Sequence, residues 1–146
     1  MAFVFRFEKL LKLKMMIEEK LQRDFYMKTN EYTALMNELV ELKNSRDEAI
    51  LRRKRMEREG ARSPQFNVIE DFLEGNKRLC IEKIGEIKES RKAVDLKKQE
   101  LLEASREERI YEKLRENAFK EYRIKKEAVG LNQLDEMAGA YYGRAD

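Results

Sequence analysis

A single proline, Pro64, constrains this chain more than any other residue. It stands in Gly60-Ala61-Arg62-Ser63-Pro64, the one place where a long run of helical sequence must stop and restart. Gly60 can take the left-handed conformation that closes a helix. Ser63 can cap the next one, and Pro64 suits a first-turn position whose N–H has no intrahelical partner. The residues before this stretch read as one helix and nearly all those after it as another. Two long helices joined by so short a connection lie antiparallel. The expected fold is therefore all-α, a coiled-coil hairpin with helix 1 over about 5–59 and a turn over about 60–63. Helix 2 follows over about 64–138, with a short C-terminal tail, and the whole is expected to form one domain.

Heptad spacing supports this reading. In the first helix a seam threads Leu10, Leu13, Ile17, Leu21 and Phe25, then Lys28, Tyr32, Leu35, Leu39 and Leu42, and grows polar through Arg46, Ala49, Arg53 and Met56. Three consecutive gaps of four, from Leu13 to Phe25, are expected to unwind the supercoil locally. The second helix alternates gaps of three and four from Phe66 through Ile69, Leu73, Asn76 and Cys80 to Tyr111. One half of that seam is mostly apolar, and the other carries Asn76, Lys83, Ser90 and Lys97. Gly75 and Gly85 each weaken the helix by about 1 kcal/mol relative to alanine and offer a bending point.

Pairing residues whose numbers sum to about 123 makes the first helix run out near Glu116, at ~1.5 Å rise per residue a first arm of roughly 75 Å. The second helix then projects beyond its partner with Phe119, Tyr122, Ile124, Val129, Leu131, Leu134 and Met137. An unpaired helix with that many apolar residues calls for a partner. Phe3, Phe5 and Phe7 lie at the same end, where they can pack on the projecting arm or join it in a docking end.

Composition excludes several classes. More than half of the residues are Ala, Glu, Leu, Lys or Arg, as in long helices and coiled coils, so a narrow seam is buried and no deep pocket is expected. There is no histidine, which removes Ser-His and Cys-His nucleophile pairs and Glu-x-x-His metal sites. Cys80 is the one cysteine, which rules out an internal disulfide and a multi-cysteine metal site and reads as a small buried hydrophobe. Scattered glycines make no phosphate loop. Adjacent carboxylates such as Glu18-Glu19 read as solvated surface charge. No catalytic residue, metal or cofactor is expected, and the chain reads as non-enzymatic. Arg6, Glu8 and Lys9 break the apolar start, and no stretch approaches the ~18 apolar residues of a membrane span. The expected location is cytoplasmic. Arg52-Arg53-Lys54-Arg55, with Arg58 and Arg62, concentrates positive charge beside the turn. Such a cluster can bind phosphates or an acidic protein surface, or stand as a solvated face balanced by Glu48, Glu57 and Glu59.

Two stretches resemble a known family. Phe3-Val4-Phe5-Arg6-Phe7-Glu8-Lys9-Leu10-Leu11 is similar to the opening of flagellar FliJ proteins, and Glu121-Tyr122-Arg123 and Gln133-Leu134-Asp135-Glu136-Met137-Ala138 are similar to their C-terminal arm. That resemblance implies a non-enzymatic component of the flagellar type III protein export apparatus, with a fold like the gamma stalk of rotary ATPases. It implies three partners: the export ATPase hexamer, the cytoplasmic domain of the transmembrane export gate, and the export chaperones that the protein escorts. The ATPase-facing end would comprise Phe3, Phe5, Phe7, Leu10, Leu11, Tyr122, Leu134 and Met137, inserted in the ring to promote its assembly and activity. Leu42 and Phe72 would face the gate, although Ser45 and Ala49 stand where family members carry tyrosines. The protein would sit at the inner face of the cell membrane at the flagellar base, held there only through partners. One competing reading is a generic scaffold that homodimerises through its C-terminal arm. Another is a nucleic-acid-binding hairpin using the basic cluster, disfavoured because no aromatic is interleaved with the charges.

Overall fold

The computed structural model describes residues 2–60 and 64–144. It is all-α, with α1 spanning Glu8–Arg58 and α2 Pro64–Arg144. The helices are antiparallel partners, the coiled-coil hairpin expected from the sequence. The first helix closes as its glycine requires. Gly60 has φ +69° and its N–H bonds the Glu57 carbonyl at 3.2 Å. The expected cap at Ser63 lies outside the described residues.

The chain falls into two compact units, Met1–Lys20 with Leu102–Asp146, and Leu21–Leu101. In the Leu21–Leu101 unit, Glu38 pairs with Lys83 and Arg53 with Glu70. In the terminal unit, Glu8 pairs with Arg115 and Lys14 with Glu107. Numbers that rise on α1 fall on α2, within a few residues of the register read from the sequence.

The seam of α2 follows the heptad pattern closely. Every expected position from Phe66 to Tyr111 is buried or half-buried. On α1 the pattern holds from Leu21 to Leu42 but is displaced by one residue before it. Leu11 is 5% exposed, and Lys14 and Glu18 turn inward, while Leu13 is 51% exposed and Ile17 points outward. Leu11, Lys14, Glu18, Leu21 and Phe25 alternate gaps of three and four without a break. The expected local unwinding is therefore absent, and a heptad phase that places charge at two seam positions takes its place. Both charges are satisfied across the interface. Lys14 Nζ donates to Glu107 at 2.6 Å, and Ser105 Oγ donates to Glu18 at 2.9 Å.

One polar group is fully enclosed. Asn76 is 3% exposed, and its Nδ2 donates across the interface to the Leu42 carbonyl at 2.9 Å. Its Oδ1 faces Cys80 Sγ at 3.5 Å, and Cys80 is buried as the small hydrophobe its context suggests. A buried asparagine must keep an acceptor within reach, so it restricts alignment at some cost in stability.

The first helix starts at Glu8 and not near residue 5. Ala2–Phe5 lacks regular structure, and a turn at Arg6-Phe7 leads into α1. The reason lies in side-chain direction. Residues two apart share a face in an extended chain but point some 200° apart in a helix. Only the extended form directs Phe3 and Phe5 together onto α2.

Nothing lies within 4 Å of where a Cβ would stand at Gly75 or Gly85. Gly75→Ala and Gly85→Ala should each stabilise the protein by about 1 kcal/mol, whereas Asn76→Ala should destabilise it by about 1–3 kcal/mol. Urea unfolding followed by circular dichroism checks both signs.

Candidate functional site

The terminal unit contains two apolar surfaces of different character. The first is closed. The Phe3 ring meets Phe119 edge-on at 5.2 Å between centroids and lies 5.5 Å from Tyr122. The Arg115 guanidinium sits 5.7 Å from the same ring and donates to Glu8 Oε2 at 2.9 Å. Phe7 contacts Tyr111 at 6.1 Å, and Phe5, at 7% exposure, is among the most enclosed residues of the chain. Residues 2–7 thus form a strap along α2, held by ring-edge contacts and one cation over a ring face.

The second surface is open. On α1, Leu10, Leu13 and Ile17 follow one stripe, with Met16 beside it, and the last three are exposed. On α2, Ile124, Leu131, Leu134 (62% exposed), Met137 (70% exposed), Tyr141 and Tyr142 stand in solvent along the stretch that continues beyond Tyr122. An apolar hollow between Tyr122 and Val129, edged by Lys125 and Lys126, continues the seam where α1 no longer supplies a partner.

The residues singled out in the sequence sort accordingly. Phe5 and Leu11 are interior to the unit and hold it together. Phe3, Leu10 and Tyr122 are half-buried, and Phe7 keeps one edge in solvent. Leu134 and Met137 are fully available. Sequence reasoning missed Leu13, Met16 and Ile17 as surface, because Leu13 and Ile17 were assigned to the seam. The three consecutive gaps of four were the signal, since the neighbouring phase through Leu11 needs no irregularity.

In the Leu21–Leu101 unit, Leu42 is half-buried beside Ser45, Leu79 and Lys83. Phe72 is 47% exposed and lines a groove with Ser45, Ala49 and Val68. Ser45 borders both hollows, so Leu42 and Phe72 occupy one flank of this unit. The basic cluster is split. Arg53 turns inward and its Nη1 donates to Glu70 at 3.1 Å, whereas Arg52, Lys54 and Arg55 are exposed.

The family model described as flagellar FliJ protein matches residues 3–146. The chain belongs to the flagellar FliJ family. No curated protein and no solved structure gives a significant match. Membership of the FliJ family makes this chain a component of the flagellar export apparatus, and the family is non-catalytic. Among the described residues, no helix is long and apolar enough to cross a membrane.

The seam charge beside the open surface has a pH signature. The hydrogen bond that Lys14 donates to Glu107 holds its ammonium above the ordinary value of 10.5, against a smaller opposing effect of desolvation. A cation whose pKa is raised by folding stabilises the fold fully below its unfolded value and loses that contribution as pH rises through the folded one. The stability of the native chain relative to Lys14→Met should therefore be constant up to about pH 10 and fall above it. Thermal melts of both chains across pH 8–12 measure it.

Proposed function

We propose that the terminal unit is a plug that seats in the central opening of the flagellar export ATPase ring and promotes the ring's assembly and activity. The observation that carries this is the run of α2 from Tyr122 to Arg144, which displays Ile124, Leu131, Leu134, Met137 and Tyr141 to solvent. A helix so apolar gains about 25 cal/mol for each Å² of apolar surface that a socket removes from water, less the usual costs of association. The stripe through Leu13 and Ile17 lies in the same unit and widens the plug. Phe3, Phe5, Phe7 and Leu11 serve it from inside, by fixing the strap and the heptad phase that turn this stripe outward. Leu10 and Tyr122 border the open surface, and Leu134 and Met137 form it.

The flank of the other unit that carries Leu42 and Phe72 is proposed to meet the cytoplasmic domain of the export gate. A protein that links the ring to the gate works in the cytoplasm at the flagellar base, has no catalytic step of its own, and can hand export chaperones back for reuse. The groove beside Phe72, in which Val68 and Ile69 stand beside Glu48 and Arg52, supports the gate contact, although it lacks aromatic residues at Ser45 and Ala49.

One pattern favours a second reading. Ile124, Ala128, Leu131, Asp135, Ala138 and Tyr142 alternate gaps of four and three, the spacing of a further coiled-coil seam. Under that reading the arm pairs with a second copy of the chain, and sedimentation gives a dimer whose formation Leu131→Ser abolishes.

ATP hydrolysis by the export ATPase separates the two. Titration of the intact chain should stimulate the enzyme severalfold. A chain ending at Arg123, which retains the Phe3 contacts to Phe119 and Tyr122, should not, and Leu13→Ser with Ile17→Ser should weaken stimulation while leaving the melting temperature within about 2 °C. Equal stimulation by all three would overturn the plug.

A further inference from the structure

Of the basic cluster beside the turn, only Arg52 borders the groove of Phe72 proposed for the gate; the rest is not used by the function proposed above, and its geometry is more specific than its sequence. Arg53 belongs to the seam, where it bonds Glu70 and lies 4.0 Å from Glu57. The remaining cations are arranged differently. Leu51, Lys54, Arg55 and Arg58 stand at i, i+3, i+4 and i+7, one stripe on the outer face of α1, with Arg52 at its flank. All five are exposed. Glu48, Glu57 and Glu59 stand three or four residues from Arg52, Lys54 and Arg55, yet none of the four cations is held in an ion pair among the described residues, whereas Lys28, Lys83, Lys92 and Lys97 are each paired with a carboxylate three residues away. Across the interface the first two turns of α2, Pro64–Ile69, carry no charge at all. An open groove of about 460 Å³ runs between the helices there. Met56 and Ile69 form its floor, Arg52, Arg55 and the exposed Val68 stand on its rim, and Glu59 lines it as well.

Two guanidinium groups over an apolar floor, beside a leucine on the same outer face, match the chemistry of a lipid–water interface. Arginine takes a phosphate in a fork, and exposed Leu51 and Val68 reach the level where acyl chains begin. Nucleic acid fits less well, because no aromatic side chain stands in the groove to stack on a base. We infer that the turn end of the Leu21–Leu101 unit binds an anionic phospholipid surface directly, with Arg52, Lys54, Arg55 and Arg58 on headgroup phosphates and Leu51 and Val68 at headgroup depth. This goes beyond the expectation that contact with the membrane runs only through partners, and it stands whether or not the terminal unit enters an ATPase ring.

Attraction to an anionic bilayer is worth about fivefold in affinity per cation at low salt and is screened within a Debye length. The test is co-sedimentation of the full chain with vesicles of phosphatidylcholine alone and of phosphatidylcholine with about one-third phosphatidylglycerol, at low and at roughly 0.3 M salt. The comparison chains are Arg52→Gln/Lys54→Gln/Arg55→Gln/Arg58→Gln, whose targets are all exposed, Val68→Ser, and Lys125→Gln/Lys126→Gln as a charge control in the other unit. Binding is expected only to the anionic vesicles, and to weaken at least tenfold in the quadruple variant and with added salt. Val68→Ser should weaken it severalfold at both salt concentrations, and the control pair should leave it unchanged. Binding to both vesicle types alike would overturn the inference, as would a loss as large in the control pair as in the quadruple variant. So would suppression by millimolar inorganic phosphate, which would make the cluster a phosphate-ion site. Tighter binding of duplex DNA or of a polyglutamate peptide than of anionic vesicles would overturn it in favour of that partner.

Discussion

The contact from Asn76 to the Leu42 carbonyl organises the Leu21–Leu101 unit. An amide enclosed to this degree must meet an acceptor, so registers that turn it away from the backbone carbonyls of α1 are penalised while the apolar contacts alone would tolerate them. The apolar half of the seam, from Phe66 through Leu73, Cys80 and Ile87 to Leu101, supplies attraction with little preference for alignment. Alignment comes from the polar half. Lys83 reaches Glu38, Arg53 reaches Glu70, and Asn76 reaches the opposite backbone. Ser90 and Lys97 are the exceptions: the Ser90 hydroxyl is buried without a partner among the described residues, and Lys97 bonds Glu100 on its own helix.

The terminal unit uses the same device with a different consequence. Lys14 and Glu18 occupy seam positions that leucine or isoleucine would fill in a more stable coiled coil, and each is matched by a residue of α2. The apolar residues that might have filled the seam, Leu13 and Ile17, are held in solvent instead. Stability is given up at the interface and an apolar face is gained outside it. Residues 2–7 close the far side of the same unit, where the Phe3 ring lies between Phe119, Tyr122 and the Arg115 guanidinium. A unit that encloses one apolar surface and displays another is suited to be received by a partner.

Much of this was legible in the sequence. Gly60 and Pro64 announced the division into two helices, and spacing alone located the seam of α2, because its apolar residues leave a single phase open. The start of α1 was less legible for the opposite reason. Leu10, Leu11, Leu13, Met16 and Ile17 offer two phases of similar hydrophobicity, and only the cross-helix partners Glu107 and Ser105, some 90 residues away in sequence, decide between them. The extended strap was hidden for a related reason, since Phe3, Phe5 and Phe7 suit a helical stripe until the rings on α2 that receive them are known. Of the candidate site residues, those of the projecting arm were read from simple surplus: a helix without a partner must expose what it carries. Those near the N-terminus required the phase, which local pattern does not contain.

The function of the terminal unit depends on which of its faces is open and on what covers that face. The most direct measurement is thiol labelling of single cysteines at positions 13 and 14 in a Cys80→Ser chain, alone and with assembled export ATPase. The expected result is rapid labelling at position 13 in the free chain, slower labelling at position 14, and strong protection of position 13 once the ring is present. Slow labelling at position 13 in the free chain would contradict the phase of the seam, and labelling there that the ring leaves unchanged would contradict the plug.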